Sequence, residues 1–178
     1  MTPTIIAIVG ASGSGKTTLV NHIQKTLGIP ALISYTTRPM RPGETDGIEH
    51  WFVTESDMPT RSKMLAYTKF GGYHYWTELS QLEGQKMCMY VVDEKGLLEL
   101  QALQERLYFG NPERFFDLVE VLIERNANLI KENIDEQRMQ RDNNRILLPR
   151  ECYQVILQNN GTLEEFLNKS IQIIKTLI

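Results

Sequence analysis

Gly10-Ala-Ser-Gly-Ser-Gly-Lys-Thr17 fits the pattern G-x-x-x-x-G-K-[ST] at every fixed position. In a loop of this kind the backbone N–H groups wrap a polyphosphate and the lysine reaches the outer phosphates. The hydroxyl that follows is placed to hold Mg²⁺. The flanks agree. Thr4-Ile-Ile-Ala-Ile-Val9 is a short β-branched run, as a buried parallel strand requires. Leu19, Ile23 and Leu27 then recur at helical spacing, and Gly28 and Pro30 end the helix. A chance Gly-rich turn is the bland alternative, and the strand–loop–helix order argues against it.

The remaining composition sets bounds. A chain of 178 residues can bury a real core and is most simply one domain. Hydrophobic content of 42% and charged content of 23% are ordinary for a globular protein. The net charge of −3 argues against a general nucleic-acid binder. Cys88 and Cys152 show no metal-ligand spacing and read as reduced thiols. Neither a signal peptide nor a bilayer-length apolar run is visible, so a cytoplasmic protein without a membrane partner is expected.

Along the chain there is no internal repeat. Residues 31–50 are dense in Thr, Arg, Pro and Gly and read as loops and short strands. Residues 55–69 are mixed and admit a short helix. Gly71-Gly-Tyr-His-Tyr-Trp-Thr77 reads as a turn with flanking strand. Met87-Cys-Met-Tyr-Val-Val92 is a second apolar strand, and a helix follows from Lys95 to about Tyr108. Phe116–Ile123 reads as a third strand, with a helix as the alternative. Residues 128–144 are charged and periodic, hence helical. Tyr153–Leu157 is a last strand. Thr162 opens a closing amphipathic helix, with Glu165 completing a capping box. Strands alternating with helices predict an α/β fold, a parallel sheet flanked by helices, with ligands at the carboxyl ends of the strands. Asp93 ends an apolar strand. It reads either as a magnesium-holding carboxylate or as the N-cap of the next helix.

Ser34-Tyr-Thr-Thr-Arg-Pro-Met-Arg-Pro-Gly-Glu-Thr-Asp-Gly-Ile-Glu-His-Trp-Phe-Val53 resembles the nucleotide-binding lobe of guanylate kinases, with their Thr-Thr-Arg-x-x-Arg-x-Gly-Glu-x-x-Gly pattern. Gly72-Tyr-His-Tyr-Trp-Thr77 is similar to a degraded form of the family's Gly-Asn-Tyr-Tyr-Gly-Thr/Ser motif. Val91-Val-Asp-Glu-Lys-Gly96 is similar to its Asp-x-Asp-x-x-Gly strand end. The likeness covers most of the chain and is weakest between about 100 and 150.

The resemblance implies a P-loop kinase core over residues 1–33, 84–126 and 148–178. An inserted monophosphate-binding lobe would cover 34–83, and a short helical lid 127–147. The implied chemistry is ATP plus nucleoside monophosphate giving ADP and the diphosphate. ATP would lie against Gly10, Ser12, Gly13, Ser14, Gly15, Lys16, Thr17 and Thr18, with Asn159 beside it. Thr17 and Asp93 would hold Mg²⁺. Arg38 and Arg41, two guanidinium groups on one loop, suit a bidentate grip on the acceptor's phosphate, and Tyr75 suits the same oxygens. Lys16, Arg38, Arg141 and Asp93 are the expected catalytic groups. Arg138, Arg141 and Arg145 step along one face of the expected lid helix, either closing over the donor or forming a solvated face. The family's Arg-Gly-rich lid insert is missing.

The departures from the family gather at the base. Its guanine-reading Glu falls on Ala66, and its first strand-end Asp falls on Val91. A phosphate-contacting Tyr falls on His50, and the motif's second Gly becomes Trp76. Ser34 and Thr77 keep small hydroxyl groups near the expected base. Guanine's donors beside Ala and Val would be unpaired, at about 1–3 kcal/mol each. GMP is therefore not expected to be strongly preferred, unless Glu78, Glu55 or Asp57 replaces the lost carboxylates. Two other readings stand beside a nucleoside monophosphate kinase. One is the same fold acting on a deoxynucleotide, modified base or phosphorylated sugar. The other is a non-catalytic guanylate-kinase-like binding module.

Overall fold

The structure, a computed structural model, describes residues 2–110, 115–131, 142 and 145–177. Strand β1 (Thr4–Gly10) runs into the Gly-rich loop and helix α1 (Lys16–Leu27). Short strands β2 (Tyr35–Thr36) and β3 (Trp51–Phe52) follow, then β4 (Met64–Phe70) and β5 (Tyr73–Glu78). The chain returns through β6 (Met87–Val91), α2 (Glu94–Gly110), β7 (Asp117–Glu124) and α3 (Ala127–Lys131). It ends in β8 (Val155–Gln158) and α4 (Leu163–Lys175).

The main sheet has the order β6-β1-β7-β8, and every pair in it is parallel. β1 lies inside it, which is why its sequence is apolar without alternation. Side chains still alternate between faces. Ile5, Ala7 and Val9 face α2, where Leu97, Leu100 and Leu103 bury. Ile6 and Ile8 face α1 and α4, meeting Leu19, Ile23, Phe166 and Ile174. Each such aliphatic side chain, fully buried, contributes about 1.5–3 kcal/mol. α4 starts as its sequence predicts: Glu165 N donates to Thr162 Oγ1 at 3.2 Å, and Thr162 N donates to Glu165 Oε2 at 3.0 Å.

The second sheet, β3-β2-β5-β4, is mostly antiparallel. β4 corrects the expectation of a short helix within 55–69. Glu55–Asp57 and Arg61–Lys63 are single 3₁₀ turns, and strand runs from Met64. Tertiary pairing decides this: β4 pairs along β5 and buries Leu65 and Ala66 against the α2 face of the core. Gly71 and Gly72 turn the hairpin at φ 58° and 84°, a two-residue turn that needs positive φ at both positions. Residues 117–124 are strand, which removes the helical alternative. The helix expected over 128–144 is seen at Ala127–Lys131; residues 132–141, 143 and 144 lie outside the described residues. Arg145 is not helical. No helix among the described residues is long and apolar enough to cross a membrane.

At Gly10 the loop passes against β7. A Cβ there would stand 2.7 Å from Ser14 Oγ and 2.8 Å from the Ile123 carbonyl oxygen. Gly10→Ala is expected to cost about 1–3 kcal/mol by overpacking, read as a Tm lowered by several degrees. An unchanged Tm would show that the loop has room to shift.

Candidate functional site

The two sheets and the Gly-rich loop enclose a cleft of about 340 Å³. One end is lined by Gly10, Ser12 and Lys16 of the loop, with Asp93, Asp142 and Arg145. A second wall carries Ser34, Arg38, Arg41, His50 and Tyr75. The far end holds Ala66, Tyr67, Thr68, Phe70, Tyr90 and Val91.

Left-handed glycines shape the loop, Gly13 at φ 72° and Gly15 at φ 103°, the latter at the N-cap of α1. Ser14 is buried, and its carbonyl accepts from Asn159 Nδ2 at 2.8 Å. Asn159, expected beside the donor, is a buried prop under the loop. Lys16 Nζ donates to the Gly10 and Ala11 carbonyls at 2.7 and 2.8 Å. Thr17 and Thr18 are exposed at the start of α1. The loop already holds an anion. Ser12 N donates to Asp142 Oδ2 at 2.7 Å, and Ser12 Oγ donates to Oδ1 at 3.1 Å. A carboxylate thus rests on donors of the kind that grip phosphate.

Arg38 differs from the free fork expected of it. It is 7% exposed, and both terminal nitrogens donate to Glu44 at 2.9 Å. Its Cζ lies 5.3 Å from the centre of the Phe52 ring, and the Tyr75 phenol sits beside the guanidinium. The same Glu44 carboxylate accepts from Arg41 N at 2.8 Å. Burial works to raise the Glu44 carboxyl. The Arg38 fork and the Arg41 N–H outweigh it and hold the carboxyl below its usual range. Glu44 was visible in sequence only as one letter of the Arg-x-x-Arg-x-Gly-Glu spacing. Its work is to fix both arginines.

His50 Nδ1 shares a hydrogen bond of 2.8 Å with Ser34 Oγ and meets the Tyr75 ring edge-on. Burial, then the Arg38 charge, lowers the imidazole below its ordinary 6.5, against weaker opposite pulls from Glu44 and Ser34. Asp93 is the helix cap that one reading proposed: its Oδ1 accepts from Gly96 N at 2.8 Å, and the residue still lines the cleft. Glu94 beside it is buried and ion-paired with Arg145, whose Nε donates to Glu94 Oε2 at 3.1 Å. Arg138 and Arg141 lie outside the described residues.

None of the replacement carboxylates lines the cleft. Glu55 is exposed beside His74 at 3.6 Å, and Asp57 accepts from Thr54 N and Oγ1. Glu78 ends β5 away from the cleft. Ala66 and Val91 line the cleft. Thr77 is fully buried.

A guanylate kinase family model matches residues 2–177. The chain belongs to the guanylate kinase family. It is 33% identical over 137 residues to the guanylate kinase of Protochlamydia amoebophila, covering 71% of this chain and 69% of that protein. The guanylate kinase of Legionella pneumophila (strain Lens) is 29% identical over 141 residues, 76% of this chain and 64% of its own length. The matched stretches thus span about two thirds of these relatives. A crystal structure of guanylate kinase from Anaplasma phagocytophilum shares the fold, with a TM-score of 0.67 at 16% identity, covering 98% of this chain and 86% of that one. A sugar kinase from Janibacter sp. HTCC2649 shares it more loosely, with a TM-score of 0.52 at 13% identity over 98% and 95% of the two chains.

Two outcomes follow from this guanylate-kinase wall. Glu44→Gln is expected to cost about 3 kcal/mol, since it leaves a buried guanidinium without its counter-charge. Chemical denaturation measures the loss, and a change within error would show that Arg38 finds another anion. For His50 the folded value is depressed, so the unfolded chain takes up the proton first as pH falls. Stability should therefore decline as pH drops below about 6.5 toward the folded value. Unfolding free energies compared at pH 7.5 and 5.5 should show a smaller decline in His50→Gln than in the parent.

Proposed function

We propose that this chain transfers the terminal phosphoryl group of ATP to GMP, giving ADP and GDP. One observation supports the reading: Gly10, Ser12 and Lys16 of the phosphate loop line the same cleft as Arg38 and Arg41. Donor and acceptor phosphates placed at these two walls would meet between them. An acceptor phosphate oxygen attacks the γ-phosphorus, and the bond from that phosphorus to the β–γ bridging oxygen breaks. Such transfer asks the protein mainly for positioning and for charge stabilisation.

Each group has a role suited to its place. The loop N–H groups, now partly taken by Asp142, bind the donor phosphates. Lys16 moves from the loop carbonyls to the transferring group and offsets its charge. Arg41 and Tyr75 hold the acceptor phosphate, and Arg38, clamped by Glu44, sets the potential behind them. His50, neutral at pH 7, orients Ser34 along the acceptor. The Thr17 hydroxyl and the Asp93 carboxylate are oxygen donors of the kind Mg²⁺ takes, and no cluster of three or more His, Cys, Asp or Glu among the described residues offers an all-protein cage. That fits an ion held largely by ATP phosphates and water, where it neutralises their charge. The intact loop weighs against a non-catalytic module.

Purified protein with ATP, Mg²⁺ and GMP should form GDP, followed by coupled ADP release. Lys16→Ala should lower kcat by about 10²- to 10³-fold, the range for removing one group that stabilises transition-state charge. Unchanged turnover in that variant would remove Lys16 from the mechanism.

A further inference from the structure

Among the described residues the acids that line the cleft are Asp93 and Asp142. Asp142 rests on Ser12 of the loop, and Asp93 stands close enough to Tyr90 for its charge to act on the phenol. What remains at the base end is apolar or hydroxylic. Tyr90 is the group there with the most chemistry to offer. It sits on β6 with Cys88 and Val92, on the face where β4 and Ala66 pack. The residue is 5% exposed, yet it lines the cleft. Its hydroxyl interacts with that of Thr77, which is wholly buried. A phenol oxygen can accept from Thr77 and still donate its own hydrogen to a ligand.

We propose that Tyr90 reads the acceptor's base, donating its hydroxyl hydrogen to a ring carbonyl, which is O6 in guanine. This rests on the nucleoside monophosphate kinase reading and names how that site selects its base. Burial, with the Asp93 charge adding to it, pushes the phenol up to about 12. It is therefore neutral and a donor at working pH, where a carboxylate would be an acceptor. The two select different edges. A carboxylate rewards guanine's N1–H and 2-amino group; a phenol donor rewards the carbonyl. A neutral hydrogen bond also discriminates less than a charged one.

GMP and IMP separate these cases, because both carry O6 and only GMP carries the 2-amino group. In the parent protein kcat/KM for IMP should lie within about tenfold of that for GMP, since losing one neutral contact changes affinity by no more than about that factor. Tyr90→Phe keeps the ring and its packing. It should lower kcat/KM for both acceptors alike, by about 3- to 10-fold, with the acceptor KM moved, the ATP KM unmoved and Tm preserved. GMP exceeding IMP by a thousandfold would overturn the proposal, because a carboxylate would then be reading the amino group. So would an acceptor KM indifferent to Tyr90→Phe. Calorimetric binding of GMP and IMP to both proteins reads the same contact without turnover. Binding that Tyr90→Phe weakens, with no GDP formed, would support Tyr90 and sink the kinase reading. No GMP binding to the parent would sink both.

Discussion

The hydrogen bond from Asn159 Nδ2 to the Ser14 carbonyl ties the end of β8 to the loop that follows β1. It fixes a segment that has no helix or strand of its own. Gly10 abuts the backbone of β7, and Gly15 leaves no space for a Cβ beside Asn159. The loop is thus held from below by two other strands of the parallel sheet. Its N–H groups are left to the cleft, where Ser12 N already binds the Asp142 carboxylate. The backbone of this anion site is held in place, while Asp142 and the Lys16 side chain must give way when a phosphate arrives.

The opposite wall reaches the same rigidity by other means. Here charge is held by counter-charge. Glu44 takes both ends of the Arg38 fork and the Arg41 N–H, so the stretch from Arg38 to Glu44 acts as one electrostatic unit. Taking Arg38 out of water is tolerable only because its donors are satisfied. Arg41, nearer the opening, is fixed at its backbone.

Much of this was legible in the sequence where the signal is local. β1, the loop, α1 and the α4 capping box are patterns of adjacent residues, and each was found as read. The parallel sheet followed from strands alternating with helices. Long-range decisions were not legible. β4 has no strong strand pattern, and its pairing with β5 and burial against α2 make it a strand. Arg38 reads as a substrate fork by composition; that Glu44 occupies it is a fact of turn geometry. Asn159 reads as a donor contact, but its depth beneath Ser14 is set by where β8 ends. Tyr90 stood inside an apolar run and passed as core. The alternation of β6 gave its face, but nothing local gave the neighbour on that face.

Tyr90 also explains why the two ends of the cleft differ in kind. At the phosphate end the Arg38–Glu44 and Ser12–Asp142 contacts are ionic or charge-assisted, and such bonds are worth about twice a neutral hydrogen bond. At the base end the described groups are Ala66, Val91, aromatic rings and hydroxyls. Binding energy is therefore concentrated on the part of the acceptor that all nucleoside monophosphates share. The base adds shape and one or two neutral hydrogen bonds. An enzyme divided this way positions the reacting phosphates well whatever base is attached, while Trp76 and Tyr35 pack in the second sheet, which carries Tyr75 and Thr77. Trp76 is 1% exposed and stacks on Tyr35 with centroids 5.5 Å apart. The bulk that replaces the family's glycine lies in the packing of the lobe, outside the cleft lining. It packs within the sheet that carries Tyr75 and Thr77, while Tyr90 stands on β6 of the main sheet.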